Sequence, residues 1–215
     1  MIDMVVIGAG GFGRETLDVL ESVNQANEGH GFRVIGVVDD SPSDENLMRL
    51  SRRGYRHLGT ISDWKSSGVG DAYLIAVGSP SKRSIIAQCL VGLPSAPPVI
   101  HPRAMVGSLC DVGSGTVICA GVQVSTNVKL GDHVHVNPSV TIGHDVTVAN
   151  FVSINPGAII SGEVTLNDET LIGAGAVILQ GLTVGAQVTV GASACVVEGV
   201  PDGVVAKGIP ARWLS

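Results

Sequence analysis

The chain has 215 residues, of which 45% are hydrophobic and 15% charged, with a formal net charge of −6. This composition excludes a disordered chain and argues against a nucleic-acid-binding surface, and no apolar run reaches the roughly 18 residues that span a bilayer. The start of the chain lacks a basic segment, so we expect no secretory signal and a cytoplasmic protein. The four cysteines lack C-x-x-C spacing, which argues against a zinc knuckle or a disulfide scaffold.

The first hundred residues alternate short apolar runs with amphipathic stretches. Strands are predicted over Met4–Ile7, Val34–Val38 and Ala72–Val77, and helices over Arg14–Val23 and Ser81–Leu90. Continuously apolar strands that alternate with helices are typical of a buried parallel sheet. A cluster of three prolines then marks the end of this α/β unit.

A glycine-rich loop follows the first predicted strand. Gly8, Gly10 and Gly13 have the spacing G-x-G-x-x-G, and Asp39 ends the next strand. In dinucleotide-binding folds the N–H groups of such a loop face phosphate, and the carboxylate accepts a hydrogen bond from a hydroxyl. Two other interpretations stay open. One is a single half-fold that binds a mononucleotide or its sugar conjugate, and the other is a tight turn that needs glycine for its geometry alone.

One spacing dominates the chain after the prolines: every sixth residue is valine, isoleucine or leucine, and glycine or asparagine often follows it. Because strand side chains alternate, a six-residue unit returns one aliphatic side chain to the same inward position. Three units close a coil of eighteen residues, which predicts a parallel β-helix whose narrow interior explains the 3% aromatic content. A β-sandwich is the alternative, but sandwiches show no fixed six-residue register. The sixteen positions are Val106, Val112, Ile118, Val124, Leu130, Val136, Ile142, Val148, Ile154, Ile160, Leu166, Ile172, Ile178, Val184, Val190 and Val196.

The eighteen-residue coil places His144 next to a glycine. Gly162 follows His144 by eighteen residues, so its backbone is expected one layer away. An imidazole can take a proton from an incoming amine or hydroxyl, and a nearby N–H can hold a thioester oxygen as it becomes an oxyanion. Asp145 can orient the imidazole or raise its basicity. The pair therefore suits acyl transfer, with an inert surface histidine as the alternative.

Two further histidines, His133 and His135, flank Val134 and are expected to point outward. Together with His144 they suggest a three-histidine zinc site, as in the γ-type carbonic anhydrases, a family with hexapeptide repeats. The H-x4-H pair usual in those enzymes is absent here, and we expect no metal. The remaining histidines are His101, expected to be a structural hydrogen-bonding residue, and His30 and His57, expected in loops.

Taken together, the two halves resemble a known family. The resemblance covers nearly the whole chain. The motifs that carry it are Gly8-Ala9-Gly10-Gly11-Phe12-Gly13, Asp39-Asp40, Ala76-Val77-Gly78-Ser79 with Arg83, Val99-Ile100-His101-Pro102, Asn137, His144-Asp145, Ser161-Gly162 and Lys207-Gly208-Ile209-Pro210-Ala211-Arg212. In this combination they are similar to the sugar O- and N-acetyltransferases of the sialic-acid O-acetyltransferase and UDP-N-acetylbacillosamine N-acetyltransferase group.

The resemblance implies an α/β plus all-β fold: a Rossmann-like parallel α/β domain (1–98) that binds a nucleotide sugar, a left-handed parallel β-helix (99–200) that carries the acyltransferase site, and a C-terminal tail (201–215). It also implies a homotrimer with active sites between protomers, and acetyl-CoA as the co-substrate.

Individual residues acquire expected roles from the same resemblance. His144 matches the general base, Asp145 its partner, and Gly162 the glycine whose amide faces the thioester oxygen. Contacts with acetyl-CoA are implied at Ala174, Ala192, Ser153 and Lys207. Contacts with the substrate are implied at Gly8, Gly10, Gly11, Phe12, Gly13, Asp39, Asp40, Gly78, Ser79, Arg83 and Asn137.

The chain departs from the family pattern at two places. Many members have a histidine where Ser153 stands, and many have a histidine in the first glycine loop, where Phe12-Gly13-Arg14 stands. The first departure affects the expected acetyl-CoA contacts, and the second affects the expected contacts with the nucleotide sugar.

We therefore expect an enzyme that moves an acetyl group from acetyl-CoA to an amine or hydroxyl of a sugar, above all a nucleotide-linked amino sugar. Direct attack is expected rather than a covalent acyl-enzyme, because no cysteine stands beside a candidate base. Two alternatives stay open: a nicotinamide-nucleotide-binding oxidoreductase or sensor that uses the glycine loop, and a non-catalytic β-helix trimer.

Overall fold

The computed structural model describes residues 1–28 and 31–214. Its first part is a parallel sheet of three strands in the order β2-β1-β3. The central strand β1 is buried from its third residue onward because both of its edges are paired and both of its sides are packed. The elements of this part are β1 (Ile2–Ile7), α1 (Gly11–Ala26), β2 (Phe32–Val38), α2 (Asp44–Arg52), α3 (Ile61–Ser67), β3 (Ala72–Ile75) and α4 (Pro80–Cys89).

The three predicted strands and both predicted helices are confirmed, and α1 extends beyond both predicted ends. Helices α2 and α3 are additional to the prediction. Each begins at a hydroxyl cap: Ser43 accepts from the Asn46 N–H, and Thr60 forms a reciprocal capping box with Asp63. Over the ranges that the structure describes, none of the helices combines the length and the hydropathy required to cross a membrane.

The second part is a left-handed parallel β-helix of about six coils. The six-residue repeat predicts the parallel β-helix, and the family resemblance implies its left hand. Strands pair at a separation of eighteen residues, for example His135 with Ser153. Face 1 contains β4 (Val99–Ile100), β7 (Val117–Ile118), β10 (His135–Val136), β13 (Ser153–Ile154), β16 (Leu171–Ile172), β19 (Thr189–Val190) and β21 (Val205–Ala206). Face 2 contains β5 (Met105–Val106), β8 (Gln123–Val124), β11 (Thr141–Ile142), β14 (Ile159–Ile160), β17 (Val177–Ile178) and β20 (Cys195–Val196). Face 3 contains β6 (Asp111–Val112), β9 (Lys129–Leu130), β12 (Thr147–Val148), β15 (Thr165–Leu166) and β18 (Thr183–Val184).

The interior of the β-helix consists of the aliphatic side chains of the repeat. All sixteen are buried except Val106 and Val112, which are partly buried in the first coil, where no coil lies below them. Each strand places one residue outward and the next inward, so the six-residue period keeps a single column of valine, isoleucine and leucine along each face.

The last coil is shorter than the others. Thr189 pairs with Val205 and Val184 with Val200, a separation of sixteen residues instead of eighteen. Paired strands therefore continue into the segment 201–215 that we predict as a tail. The division of the chain at residues 98 and 200 stays a prediction.

The α/β part packs against the lower coils of face 1. The outward residues of the first four strands of this face are buried there, whereas the outward residue of β19, Thr189, is exposed. On face 2, by contrast, Gln123 and Thr141 point outward into solvent. The buried outward residues of face 1 are Val99, Val117, His135 and Ser153.

Candidate active site

His144 lies at the corner between faces 2 and 3, after strand β11 and before strand β12. Its Nδ1 atom is 2.6 Å from Oδ2 of Asp145, and about half of each side chain is exposed. Asp145 has a left-handed backbone (φ 60°). His144 and Asp145, which are neighbours in the sequence, are thus also hydrogen-bonded to each other at the surface.

The Asp145 carboxylate has a second partner. The side-chain amide of Asn127 donates to Oδ1 of Asp145 at 2.6 Å, from the coil below. The hydrogen bonds from Asn127 and His144 hold the pKa of Asp145 below its ordinary value of 3.8. An ionised carboxylate only accepts hydrogen bonds, so Nδ1 of His144 carries a proton, and in the neutral form of the imidazole Nε2 is the atom with the lone pair.

Gly162 lies directly against the imidazole ring, as the eighteen-residue spacing predicts. A methyl group at Gly162 would lie 2.7 Å from both Cε1 and Nε2 of His144, closer than a side-chain carbon can approach. Only glycine therefore lets the ring rest on this backbone. Within the described chain, no hydrogen bond uses the Gly162 N–H, so this donor has no partner in the protein.

Ala174 and Ala192 lie on a different edge, the corner between faces 1 and 2. They are exposed and eighteen residues apart, and the Ser193 N–H donates to the Ala174 carbonyl oxygen, so they occupy one column as predicted. Asn137 lies on the same edge in a lower coil, where it is buried and its amide donates to the Ile154 carbonyl oxygen. Lys207 is exposed near the end of the chain. A single chain thus does not bring these residues to His144.

The glycine loop needs two of its glycines for the turn itself. Gly8 has a φ of 118°, and a methyl group there would lie 2.7 Å from the Ala76 carbonyl oxygen. A methyl group at Gly13 would overlap the Gly8 carbonyl oxygen. Gly10 and Gly11 face open space, and Gly10 is the N-cap residue of α1, which therefore has no side-chain cap. The loop therefore leaves the start of α1 open to a ligand.

Asp39 and Asp40 form one wall of a groove beside this loop. Asp39 accepts hydrogen bonds from the N–H groups of Ala9 and Ser41, and Asp40 accepts one from the Ile61 N–H at the start of α3. The sheet next to the groove has three strands, which fits a single mononucleotide half better than a full two-half dinucleotide fold. The groove is lined by Ile7, Gly8, Asp39, Asp40, Ser41, Ile61, Val77, Lys82 and Ile86.

Gly78 and Ser79 follow β3 and lead into α4. Gly78 is exposed with open space around it, and the Ser79 side chain accepts from the Lys82 N–H and caps the helix. These two residues therefore lie near the groove without being part of its lining.

Arg83 and Ser153 do not occupy the places that the resemblance implies. Arg83 is fully buried between the α/β part and face 1, and burial lowers the pKa of its guanidinium to about 9. Ser153 is also buried there: it accepts from Arg83 and donates to the Gly78 carbonyl oxygen. Direct contacts of Arg83 with substrate and of Ser153 with acetyl-CoA do not fit this burial. The carbonyl oxygens that accept from Arg83 belong to Val77, Gly78, His133, Phe151 and Val152.

Phe12 and the two flanking histidines belong to the same interface. The Phe12 ring stacks on His135 with centroids 4.2 Å apart, and His133 stacks between Tyr73 and Phe151. Phe12 is thus turned toward face 1 rather than toward the groove. Nε2 of His135 lies 2.9 Å from the Ile75 carbonyl oxygen.

The three histidines of the zinc hypothesis do not come together within one chain. His133 and His135 point out of the β-helix as expected, but the α/β part covers them, and His144 lies at another corner. Across residues 1–28 and 31–214, no three histidine, cysteine, aspartate or glutamate side chains are arranged to hold a metal ion.

The remaining histidines also have defined places. Nδ1 of His101 accepts a hydrogen bond from the Arg103 N–H, which confirms its expected structural role. His57 lies between α2 and α3, with Nε2 3.1 Å from the Asp39 carbonyl oxygen. His30 lies outside the described residues.

Sequence reasoning missed Asn127. Its position exactly one coil before Asp145 is a usable signal, because residues eighteen apart stack in one column. The sequence also indicates that face 1 is covered, which explains the burial of His133, His135 and Arg83. The outward positions of face 1 begin with the apolar residues Val99 and Val117, whereas the same positions of face 2 include Gln123 and Thr141.

Comparison with known proteins agrees with this architecture. Residues 3–90 match the family described as the PglD N-terminal domain. A stretch of 134 residues is 30% identical to GDP-perosamine N-acetyltransferase of Escherichia coli O157:H7. That alignment covers 61% of this chain and 58% of the relative, so the chain matches little more than half of that protein's length.

Solved structures match over nearly the full length. The acetyltransferase domain of PglB from Neisseria gonorrhoeae FA1090 is 30% identical with a TM-score of 0.82, and each chain is covered completely. The same domain has been solved with acetyl coenzyme A. A histidine-to-asparagine variant of perosamine N-acetyltransferase from Caulobacter crescentus, solved with CoA and GDP-perosamine, is 25% identical with a TM-score of 0.85 and covers 99% of this chain and 97% of its own.

Proposed function

We propose, from the premise that the chain belongs to the hexapeptide-repeat sugar acetyltransferases, that it transfers the acetyl group of acetyl-CoA to the amino group of a nucleotide-linked sugar. The observation that carries this proposal is the arrangement around His144, with Asp145 on Nδ1 and the Gly162 backbone against the ring. The complexes of the similar proteins with acetyl coenzyme A and with CoA and GDP-perosamine support the choice of both substrates.

His144 acts as the general base. Its Nε2 lone pair accepts a proton from the sugar amine as the amine nitrogen forms a bond to the thioester carbon. The thioester C–S bond then breaks, and the departing sulfur takes the proton from His144. The products are an amide on the sugar and free CoA thiol, so His144 ends the cycle in its starting state.

Asp145 and Gly162 stabilise the charges that develop during these steps. The Asp145 carboxylate, held ionised by its hydrogen bonds, stabilises the imidazolium that forms when His144 accepts the proton. The free N–H of Gly162 donates to the thioester oxygen as negative charge develops there. Because these groups are fixed by neighbouring coils, little reorganisation is needed during the reaction.

The complete site requires neighbouring protomers in this proposal. The groove at Gly8 and Asp39 lies in the α/β part, which packs on face 1, whereas His144 lies at the corner between faces 2 and 3. The exposed column of Ala174 and Ala192, which would run along the pantetheine arm, lies at a third place. A homotrimer that sets the edges of two β-helices against each other would unite them.

Direct transfer is favoured over a covalent acyl-enzyme. Of the cysteines, Cys119 is buried and burial raises the pKa of its thiol to about 12, which makes it a poor nucleophile. The Cys110 thiol donates to the Ser125 carbonyl oxygen rather than to a base. No cysteine side chain in the described chain is hydrogen-bonded to His144.

The test is a screen of nucleotide amino sugars with acetyl-CoA that follows release of the CoA thiol, for the wild type and for His144→Ala. General-base catalysis predicts a loss of roughly 10²–10⁴-fold in turnover for the variant with an unchanged Tm. Because His144 is half exposed, its removal leaves no buried cavity. Failure of the wild type with every nucleotide amino sugar, or full activity of the variant, would refute the proposal.

A further inference from the structure

Three polar residues form a column at the corner that carries His144. Asn127, Asp145 and Glu163 are spaced by eighteen residues, and all three have left-handed backbones, with φ of 57°, 60° and 61°. The Asn127 amide donates to Oδ1 of Asp145, and the other oxygen of the same carboxylate faces Nδ1 of His144, both at 2.6 Å. The carboxylate is therefore held from two sides.

The exposure of Asp145 makes the second contact important. About 45% of its side chain is exposed, so a single hydrogen bond to His144 would leave the carboxylate free to rotate into solvent. The neighbour above, Glu163, carries a carboxylate of its own and cannot donate when ionised. The neighbour below is the neutral amide of Asn127, which donates without competing for the proton of His144.

Asn127 is itself well placed to act as a fixed donor. Its own N–H donates to the Ser108 carbonyl oxygen, which ties its backbone to the coil below. The left-handed conformation is one that asparagine tolerates better than most residues. The donor is thus fixed by the β-helix rather than by flexible surface side chains.

We infer that Asn127 is a positioning residue for the proposed acetyl transfer, which orients the Asp145 carboxylate so that His144 keeps its proton on Nδ1 and presents Nε2 to the acceptor amine. This inference rests on the proposed function. Asn127 acts through Asp145 and is not assigned a contact with the reacting atoms.

Asn127→Gly tests the inference because glycine removes the amide but accepts the left-handed backbone without strain. Histidine-labelled protein is examined by nitrogen-15 NMR, with the His144 signal assigned by His144→Gln, and kcat and KM are measured in parallel. We expect the fraction of His144 with its proton on Nδ1 to fall and kcat to drop about tenfold, while KM for both substrates stays within about twofold.

Gln187→Gly is the matched control. Gln187 also has a left-handed backbone (φ 56°), and its amide also faces a carboxylate, Glu169, one coil away, but at the corner between faces 3 and 1. We expect this variant to leave the His144 tautomer and kcat unchanged. An equal effect of both variants would show a general loss of β-helix order and would overturn the specific role of Asn127.

Asn127→Asp gives a second, isosteric test. It keeps the shape but replaces the donor by a carboxylate that repels Asp145, so we expect at least the loss seen with glycine. Wild-type tautomer and kcat in either variant would overturn the inference. If the wild type acetylates no sugar but the His144 tautomer shifts in Asn127→Gly, the proposed function fails and the positioning role stands.

Discussion

Gly162→Ala should damage catalysis far more than stability. The added methyl group would lie 2.7 Å from Cε1 and Nε2 of His144 and 3.2 Å from Cδ2. Ordinary carbon contacts begin near 3.5 Å, so the ring must move away by about 0.8 Å or rotate. The backbone of Gly162 is not left-handed, so alanine brings no conformational strain of its own. Because the His144 side chain is half exposed, it can move into solvent at a folding cost of about 1 kcal/mol or less.

The same movement disturbs the hydrogen bond to Asp145 and displaces Nε2 from its place against Gly162. A misplacement of about 1 Å in an active site can cost about 10²-fold in rate, which corresponds to about 2.7 kcal/mol of transition-state stabilisation. The variant keeps both the imidazole and the amide, so the loss reports geometry alone. We therefore expect kcat to fall about 10²-fold while Tm changes little.

The assay is thiol release from acetyl-CoA with the best nucleotide amino sugar, together with thermal unfolding. Gly199→Ala is the control, since it lies at the same corner and a methyl group there meets only the Thr183 carbonyl oxygen at an ordinary 3.5 Å. Wild-type turnover in Gly162→Ala would refute the packing of this glycine against a catalytic ring. A large drop in Tm would show that the ring cannot move aside.

Other predictions concern the interface and the groove. Burial lowers the pKa of both His133 and His135 below the ordinary 6.5, so the unfolded chain binds more protons as the pH falls below that value. Urea unfolding should then show that the free energy of unfolding falls as the pH falls, by up to about 1.4 kcal/mol per pH unit for each histidine, with Asp132 partly offsetting the effect at His133. A flat profile between pH 7 and 5 would contradict this. Arg83→Met should cost about 3–5 kcal/mol of unfolding free energy, since it leaves carbonyl oxygens of both parts unpaired, and an unchanged urea midpoint would exclude that role. Lys82→Ala should raise KM for the nucleotide sugar about fivefold at constant kcat if the groove binds the nucleotide, and NAD(H) should show no competition in the same titration.

Most of the β-helix could be predicted from the sequence because its fold is periodic. The inward column, the eighteen-residue pairing and the contact between His144 and Gly162 all follow from one spacing. The short last coil breaks that spacing by two residues, and no periodic argument could have found it. Helices α2 and α3 were missed for a related reason: they are nine and seven residues long and bury one residue each, so they leave no apolar stripe.

The interface between the two parts was the least predictable feature. Arg83 and Phe12 stand in motifs that suggest ligand contacts, yet both face the β-helix. A motif shows which residues are close in sequence to a site, but not which side of the chain each one faces. That direction depends on which face of the β-helix the α/β part covers, and the coverage is a long-range packing choice that the local pattern does not contain.

The interface between the α/β part and the β-helix determines how far the groove lies from His144, and the proposed reaction depends on that distance. The groove and His144 belong to different parts of the fold, so their separation within and between protomers depends on how the α/β part is seated. Arg83 joins the carbonyl oxygens of Val77 and Gly78, beside the groove, to those of His133 and Phe151 in the β-helix. Desolvating a guanidinium without a carboxylate partner is costly, and its several fixed hydrogen bonds compensate only in one geometry. A buried guanidinium of this kind therefore favours one fixed position of the α/β part on the β-helix. In the proposed reaction, an acceptor amine held in the groove would need such a fixed position to reach His144 of a neighbouring β-helix.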